Sequence, residues 1–363
     1  MKRILKFLGM TLLVIALLVV VGISLTIGWR PFIGPKARPL TARKFEPTPA
    51  RMARGQYMVE NLGCFDCHGE HDWKKHDAPL VEGTRGAGYA DFPLAGLPGR
   101  IVPSNITPDP ETGAGNWTDD QLARAIREGI GHDGRALFPL MPYPHFRLIS
   151  DEDLASVIVY IRSIPPVHKA LPQTEIIFPV KYLIRSAPQP LTEPVPQPDL
   201  SIPLERGKYL VNIAGCSDCH TPQSKGQDIP GLEFAGGFVL EGPWGKVASA
   251  NITPDPSGIS YYDEALFVQT FRTGYVKARE LNQIMGWWHY RNHTDEDLKG
   301  MFAYLRTLKP LKHRVDNTEP PTLCKVCGNV HGLGERNQAA NKTFPFMNIL
   351  ASRGNCVQTA FVS

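Results

Sequence analysis

Cys64-Phe65-Asp66-Cys67-His68 and Cys216-Ser217-Asp218-Cys219-His220 are two copies of one pentad, Cys-x-x-Cys-His. That spacing is the attachment signature of c-type haem. Two thiols three positions apart on a helical turn can each add to one vinyl group of a porphyrin. The histidine that follows then offers a ring nitrogen to the iron as proximal ligand. One such pentad can be chance or half of a zinc site. Two, each with the same companions downstream at nearly the same distances, predict two covalently attached haem c groups. A zinc module built on Cys64, Cys67 and His68 lacks a partner cluster at zinc spacing, and the repeat lends it no support.

Outward from the pentads the chain is duplicated, and this must be recognised before any single element is read. Ala53-Arg54-Gly55-Gln56-Tyr57-Met58-Val59 is answered by Glu205-Arg206-Gly207-Lys208-Tyr209-Leu210-Val211, the shared glycine lying nine residues before the first cysteine of each pentad. Asn105-Ile106-Thr107-Pro108-Asp109-Pro110 recurs unchanged at 251–256. Each copy closes on an amphipathic stretch, Asp151 to Arg162 and Asp295 to Arg306. Leu154, Val157, Ile158 and Ile161 fall at helical spacing and read as core. Ser150 and Thr294 are N-caps, with Asp153 and Asp297 three residues on as a weak form of capping box. Pro165 and Pro310 stop the helices. The expected packing partner is the first helix of each copy, where Gly55 and Gly207 permit close backbone approach.

A haem held by histidine alone leaves its sixth position open. Met141 and Met285 each stand ten residues before the acidic start of the closing helix, and that shared placement makes them the expected sixth ligands. Copy two lacks the prolines that flank Met141. The rivals are His132 and His145 in copy one and His289 and His293 in copy two, read as unmatched between copies and so assigned to surface or supporting positions. Arg100 and Lys246, each five residues before the repeated asparagine, are candidate propionate partners. Trp117 is a further candidate.

These pentads, the two Asn-Ile-Thr-Pro-Asp segments and the Met-Pro-Tyr at Met141 resemble the class I c-type cytochromes. Within them the chain is similar to the cytochrome c subunits of membrane-bound alcohol and gluconate dehydrogenases, over roughly residues 50–165 and 200–310. Those subunits typically carry three haem domains, and this chain has two. The fold expected is all-α, two tandem cytochrome c domains with long loops, each with three or four helices around one haem, preceded by one N-terminal transmembrane helix. The boundaries expected are an anchor at 1–30, a juxtamembrane linker at 31–50, domain 1 at 51–170, a proline-rich connector at 171–200, domain 2 at 201–316 and a tail at 317–363. His/Met ligation raises the potential relative to His/His and closes the iron to small ligands. The expected role is a carrier of single electrons between redox protein partners, one that can serve as a subunit of a respiratory or dehydrogenase complex. A dihaem peroxidase with one open iron is the alternative.

Phe7 to Gly28 is an uncharged run of 22 residues after Lys2, Arg3 and Lys6, long enough to span a bilayer. It reads as an uncleaved single-pass anchor; a cleaved signal peptide is the competitor. Haem c attachment outside the bacterial cytoplasmic membrane then puts the body in the periplasm. The net charge of +4 without a basic cluster argues against nucleic acid as a partner. The apolar piece Ile176 to Ile184 is expected against copy one. In the tail, Cys324-Lys325-Val326-Cys327 is followed by Gly328 and so is not a third haem site. A local disulfide is expected there, with a redox-active pair or a metal site shared with His331 as alternatives. Cys356 is left as an odd thiol.

Overall fold

A computed structural model describes residues 2–224 and 226–338; Cys356 lies outside them. The apolar run forms α1 (Lys2–Leu25), exposed along its length, with a mean hydropathy of 2.8 over its most apolar window. Among the described residues it is the one helix long and apolar enough to cross a membrane, a test that a signal sequence near an N-terminus also passes.

After α2 (Arg30–Ile33), copy one contains α3 (Pro49–Asn61), α4 (Cys64–Cys67), α5 (Asp119–Glu128), α6 (Tyr143–Phe146) and α7 (Asp151–Ser163). The connector carries α8 (Val180–Leu183). Copy two repeats the order with α9 (Pro203–Ile213), α10 (Cys216–His220), α11 (Glu264–Thr273), α12 (Trp287–Tyr290) and α13 (Asp295–Thr307). Five helices stand where three or four were expected, because the pentad and the segment after each methionine form turns of their own. Short antiparallel ribbons add to the helices. Gly99–Arg100 pairs with Glu175–Ile176, which ties the connector to copy one, and Val239–Gly242 pairs with Gly245–Ala248.

Local chemistry explains the helix ends. Pro49 and Pro203 occupy first-turn positions, where no N–H is needed. Ser150 Oγ and Thr294 Oγ1 accept from the N–H groups of Asp153 and Asp297, each at 3.1 Å. The two aspartates do not complete a capping box. Their carboxylates are engaged elsewhere, Asp153 with Arg54 and Tyr209, Asp297 with Tyr57.

In each copy the first and last helices cross closely. A Cβ on Gly55 would run into the backbone carbonyl of Ser156, and one on Gly207 into that of Gly300. The buried faces meet there: Met58 and Val59 against Leu154, Val157 and Ile158, and Leu210 and Val211 against Leu298, Met301 and Phe302. Each such burial contributes about 1.5–3 kcal/mol.

The copies face each other with reciprocal contacts. Tyr57 of α3 donates to Asp297 and accepts from the Thr294 N–H at 3.1 Å. Its counterpart Tyr209 of α9 donates to Asp153 at 2.7 Å and accepts from the Ser150 N–H at 3.0 Å. Trp73 of copy one meets Trp244 edge-on at 4.9 Å and Trp288 at 5.9 Å. One contiguous buried cluster therefore runs through both copies.

Candidate haem sites

Gly63 and Gly215, both in the left-handed region at φ 63° and 64°, let the chain leave the first helix and turn at once into the pentad. In both pentads the histidine is then held in the same way. His68 Nδ1 lies 2.6 Å from the carbonyl oxygen of Ser104, and His220 Nδ1 lies 2.7 Å from that of Ala250. A carbonyl can only accept, so Nδ1 carries the proton and Nε2 keeps its lone pair for a metal. Burial holds both imidazoles below their ordinary pKa despite these hydrogen bonds, which keeps them in the neutral, ligating form. Burial also pushes the thiols of Cys64, Cys67, Cys216 and Cys219 up to about 12.

The repeated hexapeptide has its role here, one that the sequence alone did not disclose. Ser104 and Ala250 directly precede it. Asn105 Oδ1 accepts from the Thr107 N–H at 2.9 Å and its hydroxyl at 2.7 Å, while Nδ2 donates to the Val167 carbonyl at 2.8 Å. Asn251 repeats the pattern with Thr253 at 2.9 and 2.8 Å and with Leu311 at 2.7 Å. The loop is a rigid brace behind the carbonyl that orients each histidine.

A cavity of about 1010 Å³ opens in copy one, lined by Cys64, Cys67, His68 and Met141 with Leu122, Ile126, Val157 and Ile161. Small-molecule sites run to about 1,000 Å³, so the space, the apolar walls and the free Nε2 together fit a haem. Trp117 lines it and stacks on His132 with centroids 4.3 Å apart. The connector closes one side through Ile176 and Ile184, as expected of that apolar piece. The cations on the wall are Arg135, Lys181 and Arg185. Arg100 is exposed and pairs with Asp91 at 3.3 Å, and Lys246 is exposed 3.8 Å from Glu241. Arg135, Lys181 and Arg185 line this cavity and Arg100 does not, so these three would be the cations at hand for propionates in copy one.

Met141 and Met285 are both half-buried against the apolar cluster, each just ahead of a one-turn helix, α6 or α12. Four residues after them stand His145 and His289. These two are matched between the copies after all, and they meet the opposite pentads. His145 Nε2 lies 2.6 Å from Asp218 Oδ1, and His289 Nδ1 pairs with Asp66. Burial lowers the His145 pKa, but the hydrogen bond and charge of Asp218 outweigh it, and the net shift is upward. Tyr290 of copy two reaches into the wall of the copy-one cavity and donates to the Ala214 carbonyl at 3.3 Å.

Residues 52–165 match the family model described as cytochrome c. They form a cytochrome c domain. The chain is 28% identical to the cytochrome c subunit of alcohol dehydrogenase (quinone) of Gluconobacter oxydans, over 71% of this chain and 55% of that protein. It is 31% identical to the fructose dehydrogenase cytochrome subunit of Gluconobacter japonicus, over 74% of this chain and 55% of that subunit. A diheme cytochrome c-type protein of Cereibacter sphaeroides is 29% identical over 72% of this chain and 86% of its own length. The chain thus spans about half the length of the dehydrogenase cytochrome subunits. A cytochrome c domain implies covalently bound haem c.

Proposed function

We propose that the chain is a dihaem cytochrome c, with a second cytochrome c domain at 201–316, that carries single electrons between redox protein partners as the cytochrome subunit of a dehydrogenase-type assembly. α1 anchors it in the bacterial inner membrane with the haem domains in the periplasm. The observation that carries this reading is the identical treatment of the two pentads: the same left-handed glycine, the same Nδ1–carbonyl bond and the same asparagine-braced loop in each copy.

Haem c, when bound, supplies a reversible one-electron couple at its iron. The protein's part is positioning. Cys64 and Cys67, and Cys216 and Cys219, supply the thioether sulfurs. His68 and His220 are fixed neutral and in one tautomer, and Met141 and Met285 are the proposed ligands on the far side. The Asp66–His289 and Asp218–His145 contacts bring both pentads to the interface, and Tyr290 links the copy-one cavity to the backbone just before the second pentad. This supports passage between two sites packed against each other.

The optical spectrum of the oxidised, membrane-extracted protein tests the reading. Two haems per chain, a methionine-to-ferric-iron band of two-haem intensity and no shift with carbon monoxide on reduction are expected. Met141→Ala and Met285→Ala should each remove half of that band. A half-intensity band in the unaltered protein, with one carbon-monoxide-reactive haem, would overturn the carrier reading in favour of an enzyme with an open iron.

A further inference from the structure

The tail does not hold the expected disulfide. Cys324 and Cys327 are free thiols, both buried, and two buried histidines converge on them. The candidate ligand atoms of His313, Cys324, Cys327 and His331 all lie within 4.8 Å of one another. We propose that these four residues are a structural zinc site that clasps the tail to the second haem domain.

The geometry supports a tetrahedral ion. Bonds of about 2.3 Å to sulfur and 2.0–2.1 Å to nitrogen place neighbouring tetrahedral ligands about 3.3–3.8 Å apart. His313 Nε2 lies 3.4 Å from Cys324 Sγ, and His331 Nε2 lies 3.4 Å from Cys327 Sγ. The imidazole rings stand nearly perpendicular, at 86°, with centroids 5.2 Å apart.

Both histidines are oriented for ligation. His313 Nδ1 is 2.9 Å from the Ala235 carbonyl, and His331 Nδ1 is 3.0 Å from the Gly332 carbonyl, so each directs Nε2 at the centre. The cysteines lie in the loop of the hairpin Pro321–Leu323/Val330–Gly332. Its turn is closed by Gly328 N–H to the Cys324 carbonyl at 2.8 Å, with Gly328 at φ 77°. Binding would release the two thiol protons to solvent, and two thiolates then balance a doubly charged cation, so the buried site carries no net charge. A disulfide would engage two of the four groups and leave the convergence of the imidazoles without purpose.

The site also has a mechanical connection. Ala235, which fixes His313, precedes Gly236, whose N–H holds the His220 carbonyl at 2.7 Å. Asn329 of the hairpin loop donates to the Gly237 carbonyl at 2.9 Å. The ion would therefore pin the tail against the turn whose Gly236 N–H holds the His220 carbonyl.

The test uses the full-length holoprotein, purified without added metal or chelator. Elemental analysis should find about one zinc per chain. Absorption at the zinc edge should show two sulfur and two nitrogen neighbours. Cys324→Ser and His331→Ala should each lose the zinc. On the unaltered protein, Cys324 and Cys327 should resist alkylation until a zinc chelator is added, read by peptide mass. A linked Cys324–Cys327 peptide, alkylation indifferent to the chelator, or zinc retained in both variants would overturn the site. A different metal on the same four ligands would overturn the assignment to zinc.

Discussion

Lys169 and His313 stand at the same place in the two copies, and there the copies part ways. Each lies two residues after the carbonyl, Val167 or Leu311, that accepts from the bracing asparagine. The N–H of Lys169 is held by Thr112 Oγ1 at 2.9 Å, that of His313 by Ser257 Oγ at 3.0 Å. In copy one the side chain makes a half-exposed ion pair, Lys169 Nζ to Glu70 at 2.5 Å. In copy two it enters the buried cysteine–histidine cluster. The outer cover differs to match. Copy one is wrapped from the N-terminal side, where Arg38 bridges Asp120 and Glu128 at 2.7 Å each and Arg185 donates to the Pro31 carbonyl at 3.0 Å. Copy two is wrapped by the tail. The duplicated frame is the same around both pentads, and each copy shields that frame with whatever chain lies next to it.

The sharpest way to break the comparison is at the pentads. Cys64→Ala with Cys67→Ala should abolish covalent haem in copy one and leave it in copy two, read by intact mass and haemochrome spectrum. Loss of both haems would show that the copies cannot be loaded separately. Next is Arg38→Ala, which strands two buried carboxylates and should cost about 3–5 kcal/mol. At present Arg38 holds Asp120 below its usual pKa against the opposing effect of burial. Aligned on their N-caps, Thr118 and Asp263, α11 offers only Ala265 and Thr273 at the corresponding positions. The loss should therefore appear in denaturant melts as weakening of copy one.

Lys169→Ala should move stability by only about 0–1 kcal/mol, as expected of a half-exposed pair. His313→Ala at the matching position should strip the tail's metal and expose the tail to protease. Equal effects would mean that the clasp adds nothing beyond an ion pair. The smallest effect is on pH. Because the His145 pKa is raised in the fold above its unfolded value of about 6.5, its pairing with Asp218 contributes fully below that value. The contribution is lost as pH rises through the raised one. Thermal melts across that window should fall more steeply in the unaltered protein than in His145→Gln.

Much of the architecture was legible in residue order because it depends on spacing. The pentads, the paired methionines, the closing helices with their serine and threonine caps, and the need for glycine at 55 and 207 are all local or periodic signals. The capping-box reading failed because an aspartate's hydrogen bonds depend on what lies across from it, and here that is a tyrosine from the other copy. The same reason hid the match of His145 with His289, since their partners are some 70 and more than 200 residues away in sequence.

The residue order thus determined that there are two Cys-x-x-Cys-His pentads, where they lie, and which helices frame them, because motif spacing and helical periodicity act over a few residues. Only the folded chain decided that the hexapeptide braces each pentad histidine, that the copies lock together through reciprocal pairs, and that His313 joins Cys324, Cys327 and His331. Those are contacts between distant segments, and nothing short of packing determines which polar groups are brought together and buried.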